Sequence, residues 1–249
     1  MDLGLNDRVA LVTGASSGLG RGIAEALVAE GAQVAVSSSS PERIEAAASE
    51  IGARPFVHDS RDLDAAGTLV DQVESGLGPI EILVTNTGGP PGGMDATTFT
   101  REQWQDAYTT LMLAPLALIE RVLPGMRERG FGRIVSVSSS AVIEPAPNLV
   151  LSNTHRSGLV AGFKTLARQV AGDGVTLNSV MPGRIDTARL ADLMGSTEAA
   201  REFAEEFVPA GRLGTVEEFA AVATFLCSEQ AAYVTGVSLL VDGGMTQSV

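Results

Sequence analysis

Two groups of residues in this chain have types and spacings that can do chemistry. Gly14, Gly18 and Gly20 stand in TGASSGLG (13–20), directly after a Val- and Leu-rich run and directly before a stretch with helical periodicity. Glycines placed this way let the backbone turn tightly. They let an anionic diphosphate approach the free N–H groups and the positive dipole end of the helix that follows. The second group lies in RIVSVSSSAVIEPAPNLVLSNTHRSGLVAG (133–162), which reads as strand, serine-rich loop and helix. Its candidate catalytic residues are Ser139, Ser152, His155 and Arg156. A serine hydroxyl can hydrogen-bond a carbonyl but does not ionise near neutral pH, and arginine brings a fixed cation with five donors. His155 lies one turn from Ser152 and has an ordinary pKa suited to acid–base work; the competing assignment is a structural histidine.

The elements that must position these residues alternate along the chain. Strand-like runs occupy 8–14, 33–37, 54–58, 81–86, 132–138, 174–183 and 237–244. Between them the spacing predicts helices over 18–31, 41–52, 62–78, 101–130 with a bend at Pro115, 152–171 and 215–227. The segment 184–210 reads as mobile, and TGGPPGGM (87–94) as a stiffened loop that shapes a pocket. Regular strand–helix alternation predicts an α/β fold: a single domain, residues 1–249, with a doubly wound parallel sheet of Rossmann type and helices on both faces. Its ligand crevice is expected beyond the carboxyl ends of the strands, at the switch point of the sheet.

Bulk properties narrow the function. The formal net charge is −13, which argues against nucleic acid or an anionic membrane surface as partner. The single cysteine, Cys227, allows no disulfide within the chain and suits a reducing cytoplasm. MDLGLNDR has no pattern of a signal peptide, and the uncharged run LMLAPLALI (111–119) is too short to span a bilayer. No His, Cys or carboxylate cluster has metal-ligand spacing.

The chain resembles the short-chain dehydrogenase/reductase family over nearly its whole length, with 3-oxoacyl-carrier-protein reductases as the nearest general likeness. The resemblance rests on TGASSGLG, His58-Asp59-Ser60, Asn86-Thr87-Gly88, GRIVSVSS, PGRIDT (182–187), GRLGTVEEFA (211–220) and TGVSLLVDGG (235–244), in the family's order and spacing. It implies a nicotinamide dinucleotide held by Gly14, Ser16, Ser17, Gly18, Leu19, Gly20, Ser38, Ser39, Asp59, Ser60, Asn86, Gly88, Arg156, Pro182, Gly183, Ile185 and Thr187. It also implies a substrate lid over 184–210, a small-molecule substrate, and a homodimer or homotetramer built on the 101–130 and 152–171 helices. In the lid, Leu193, Met194, Phe203 and Phe207 point to an apolar substrate or to a lid packed on the core. SSSSPER (37–43) lacks the acidic residue that holds a free ribose diol, while its serines and Arg43 suit a 2′-phosphate, so NADP(H) is expected over NAD(H).

The chemistry departs from that pattern. The resemblance places a carbonyl-polarising serine at Ser139, but Ser152 stands where the family has its proton-donating tyrosine. Arg156 stands in place of the lysine and Leu111 in place of an asparagine. Losing a general acid typically costs about 10²–10⁴ in rate. Tyr108 and Tyr233 lie off the active-site helix, and Asp186 reads as a loop-capping carboxylate. Three readings follow: an NADP(H)-dependent oxidoreductase of atypical chemistry acting on a carbonyl or alcohol, a nucleotide-binding pseudoenzyme, or a non-redox lyase or isomerase.

Overall fold

The aliphatic runs form strands because β-branched residues favour extended backbone and leave no polar face to expose. In the computed structural model, which describes residues 1–248, they are β1 (Val9–Thr13), β2 (Gln33–Ser38), β3 (Arg54–Val57), β4 (Ile82–Thr85), β5 (Gly132–Val137), β6 (Val175–Pro182) and β7 (Ser238–Val241). All are parallel and ordered β3-β2-β1-β4-β5-β6-β7. The helices are α1 (Gly18–Ala29), α2 (Pro41–Ile51), α3 (Ala65–Leu77), α4 (Arg101–Tyr108), α5 (Ala114–Arg129), α6 (Val150–Val170), α7 (Ala188–Met194), α8 (Thr197–Phe207) and α9 (Val216–Cys227).

Alternate strand residues face opposite layers. Ala10 and Val12 pack with Ile23 and Leu27 of α1, Ile44 of α2 and Phe219 of α9. Val9 and Leu11 pack with Leu69 and Val73 of α3, Leu118 and Val122 of α5, and Phe163 of α6. The chain leaves β1 for β2 on one side and returns to β4 on the other, so the crevice opens at the carboxyl ends of β1 and β4, as the alternation predicted.

Two expectations need correction. The irregularity at Pro115 is a π turn over Thr109–Leu113, in which the Ala114 N–H bonds the Thr109 carbonyl. Proline has no N–H to return to the carbonyl four residues back, and the turn ahead of it widens. The 111–119 run is apolar largely because Leu111, Leu118 and Ile119 are core. Arg101–Arg129 as a whole is long and apolar enough to cross a membrane by length and composition, yet α5 spends those residues on the sheet. The segment 184–210 is not loose: α7 and α8 close on Leu190, Ala200, Ala204, Val208 and Leu213.

Candidate active site

The crevice begins at α1. Gly14 and Gly18 take left-handed φ of 58°, and a Cβ on Gly20 would lie 2.5 Å from the Gly14 carbonyl and 2.6 Å from Asn86 Nδ2. Asn86 itself ties β4 to β1: its Nδ2 donates to the Gly14 carbonyl at 2.9 Å, and Thr13 Oγ1 donates to the Asn86 carbonyl at 2.8 Å. The Ser17 side chain at the N-cap of α1 makes no capping bond, whereas Ser40 and Thr215 cap α2 and α9. The first-turn N–H groups of α1 therefore have no side-chain acceptor and face the crevice, the arrangement an anionic diphosphate needs. The residues present fit a dinucleotide. Ser38, Ser39 and Arg43 follow β2, and Asp59 and Ser60 follow β3, on the far side of β1 from Ser139. Arg43 is exposed, and its backbone N–H donates to Ser40 Oγ.

On the β4–β6 side the crevice deepens into a cavity of about 320 Å³. Gly14, Ser17, Gly18, Leu19, Asn86, Gly88, Pro182, Gly183, Ile185 and Thr187 line it, together with Ser139, Ser152 and Arg156. Ser16 and Gly20 belong to the turn but do not line the cavity, and neither do the residues after β2 and β3. Ser139 Oγ accepts the Ala141 N–H at 3.2 Å, which holds its hydroxyl at the end of β5. Ser152, in the first turn of α6, is 6% exposed. Arg156 lies one turn further, and its Nη1 donates to the Val137 carbonyl at 2.6 Å. Burial, and then the nearby Arg189 guanidinium, push Arg156 down to about 10, so it remains a cation at neutral pH.

Sequence reasoning missed Arg184 and Arg189. Arg189 Nη2 donates to the Pro90 carbonyl at 2.6 Å, and Arg184 lies 5.0 Å over the Phe203 ring with its Nε buried and without a partner. Both line the cavity, and among the described residues no carboxylate does. The available signal was two arginines flanking Thr187 in a strongly acidic chain.

Other candidates lie elsewhere. His155 does not line the cavity; it packs against Trp104 at 5.7 Å and Tyr108 at 5.8 Å, its Nε2 buried without a partner. Burial holds it below the usual histidine range, as it does His58. Tyr233 is fully exposed, and Leu111 packs with Ala107 and Leu151. Asp186 pairs with Arg201 at 3.5 Å outside the cavity. Leu193 lines the cavity, Met194 packs against the Leu190–Ala204 cluster of α7 and α8, and Phe203 stacks on Phe207 at 4.8 Å.

The chain is similar in sequence and fold to known reductases. The family model described as enoyl-(acyl carrier protein) reductase matches residues 14–246. The 3-oxoacyl-[acyl-carrier-protein] reductase FabG of Escherichia coli K12 is 34% identical over 242 residues, covering 96% of this chain and 97% of the relative. The acetoacetyl-CoA reductase of Rhizobium meliloti is 34% identical over 238 residues, with 95% and 98% covered. The structure of L-sorbose reductase from Gluconobacter frateurii, complexed with NADPH and L-sorbose, superposes with a TM-score of 0.94 at 31% identity, covering 100% of both chains.

Two expected outcomes follow from the geometry. Gly20→Ala forces its Cβ onto the Gly14 carbonyl and is expected to weaken dinucleotide binding at least about tenfold, of order 1.4 kcal/mol, by fluorescence titration with NADPH. The second concerns His155 and His58, whose pKa values are lowered on folding. The unfolded chain binds protons that the folded chain resists, so stability is full above about pH 6.5 and falls as pH drops through that value. His155→Phe should lose less of its thermal midpoint between pH 7.5 and pH 5 than the wild type, with the rate profile between pH 6 and 8 unchanged.

Proposed function

The chain belongs to the short-chain dehydrogenase/reductase family of oxidoreductases, and we propose that it is an NADP(H)-dependent oxidoreductase acting on a carbonyl or alcohol of a small molecule. The observation that carries this is the crevice at the carboxyl ends of β1 and β4. An uncapped helix start and an Asn86-braced glycine turn lead there directly into a cavity holding Ser139, Ser152 and Arg156. When bound, the dinucleotide supplies the hydride. The Ser139 and Ser152 hydroxyls donate hydrogen bonds to the substrate carbonyl oxygen. The Arg156 cation stabilises the negative charge that gathers there as the carbonyl carbon becomes tetrahedral. Among the described residues none that lines the cavity is a carboxyl, histidine or phenol, so the alkoxide takes its proton from water. In this reading, fixed charge replaces the missing phenol as the means of lowering the barrier.

For the nucleotide, SSSSPER offers hydroxyls and Arg43 to a 2′-phosphate and no carboxylate to a free diol. The half-exposed Leu113, Leu116 and Ala117 of the π turn and α5 leave an apolar strip for a second copy to cover, in favour of a homo-oligomer. A cytoplasmic location follows from the reducing environment that a lone buried thiol and a soluble dinucleotide both suit.

Calorimetry with both nucleotides tests the reading. NADPH is expected to bind more tightly than NADH. Arg43→Ala should weaken NADPH alone by roughly 1–3 kcal/mol, the range for a charge-assisted contact. Equal affinities in the wild type would contradict the preference, and no binding of either would remove the function.

A further inference from the structure

The proposed oxidoreductase leaves open what it reduces, and the charge of the cavity bears on that. The chain carries 30 acidic against 17 basic residues, yet its cavity is lined by Arg156, Arg184 and Arg189 and by no carboxylate. Elsewhere Arg8, Arg21, Arg61, Arg121, Arg127, Arg201 and Arg212 pair with Asp or Glu, and Arg54, Arg129 and Arg133 bond backbone carbonyls outside the cavity. Arg156 and Arg189 each reach one backbone carbonyl, of Val137 and Pro90, and neither pairs with a carboxylate among the described residues. The two guanidiniums line the same cavity. A guanidinium has five donors, so each keeps N–H groups for a ligand. Two like charges held together in a cavity without a counter-ion are stabilised by an anion placed between them.

We propose that the substrate is a free oxo acid, its carboxylate held by Arg156 and Arg189 and its carbonyl beside Ser139 and Ser152. The proposal rests on the oxidoreductase reading above and adds the substrate class. Planar guanidiniums match a carboxylate with paired hydrogen bonds. Leu149, Leu193 and Pro90 bound the rest of the cavity and take an apolar remainder. The volume of about 320 Å³, part of which the nicotinamide would fill, suits a small free acid. An anion at Arg189 has one other source, the diphosphate of the dinucleotide. The α1 N-terminus already offers donors to that group, whereas Arg156 lies one turn after Ser152 on α6.

The test compares 2-oxo and 3-oxo acids with their methyl esters as substrates at saturating NADPH, in wild type and Arg189→Gln. Arg189 is exposed, so the substitution is compatible with folding. Acids are expected to have lower KM than their esters. Arg189→Gln should raise KM for the acids roughly ten- to a hundredfold, raise it for the esters at least about tenfold less, and leave the NADPH dissociation constant within about twofold. Arg189→Lys should recover part of the loss. Turnover of acids and esters with equal KM would overturn the proposal while leaving the oxidoreductase reading intact. Weaker NADPH binding in Arg189→Gln, with no change specific to the acids, would assign the arginine to the diphosphate. Absence of NADPH binding in the wild type would overturn both the parent reading and this one.

Discussion

The crevice depends on the hydrogen bonds that Asn86 and Thr13 exchange across the switch point of the sheet. Parallel strands diverge at their carboxyl ends once the ladder stops, and something must hold β1 and β4 at the right spacing just beyond it. Thr13 Oγ1 accepts the Asn86 N–H at 3.0 Å and donates to its carbonyl, while Asn86 Nδ2 reaches the Gly14 carbonyl. This fixes the turn so closely that side chains at Gly14 and Gly20 have no room. The absence of side chains is what exposes the start of α1 to a ligand. One amide thus links the sheet, the turn and the floor of the cavity.

Charge is the second organising feature. The acidic surface and the cationic cavity are separated by the fold itself: Arg156 of α6, Arg189 of α7 and Arg184 between β6 and α7 line the cavity, while seven arginines elsewhere pair with carboxylates. Arg156 is partly desolvated, which lowers its pKa to about 10 yet leaves it charged in the working range. A desolvated cation acts more strongly on a developing oxyanion than one in water. That is the physical ground on which a site with two serines and no phenol can still favour reduction.

The sheet and the glycine turn were legible in the sequence because their signals are local: aliphatic runs of strand length and glycines at a strand–helix junction. Ser152 and Arg156 were singled out by the family resemblance rather than by a local signal. Four residues on a helix return to nearly the same face, so both enter the cavity. His155, three residues on, falls on the other side of that line, and α4 covers it with Trp104 and Tyr108. Spacing by one turn did not separate those two cases, since 3.6 residues per turn leaves both near Ser152. The 184–210 segment was misread as mobile because its cluster joins Leu190 of α7 to Ala200, Ala204 and Leu213, positions that only the fold brings together. Arg189 was missed because its meaning lies in Arg156, more than thirty residues away in the chain, and only the fold brings the two charges together.

The central claim is that this site moves hydride without a tyrosine. It is tested most directly by supplying NADPH deuterated at the transferred position of C4, together with a panel of oxo acids and esters, and locating the deuterium by mass spectrometry. The account predicts one deuterium on the carbon that carried the carbonyl, in a product that forms only when the nucleotide is present. A product formed without nucleotide, or formed with it but free of deuterium, would contradict the account and point to lyase or isomerase chemistry in the same cavity.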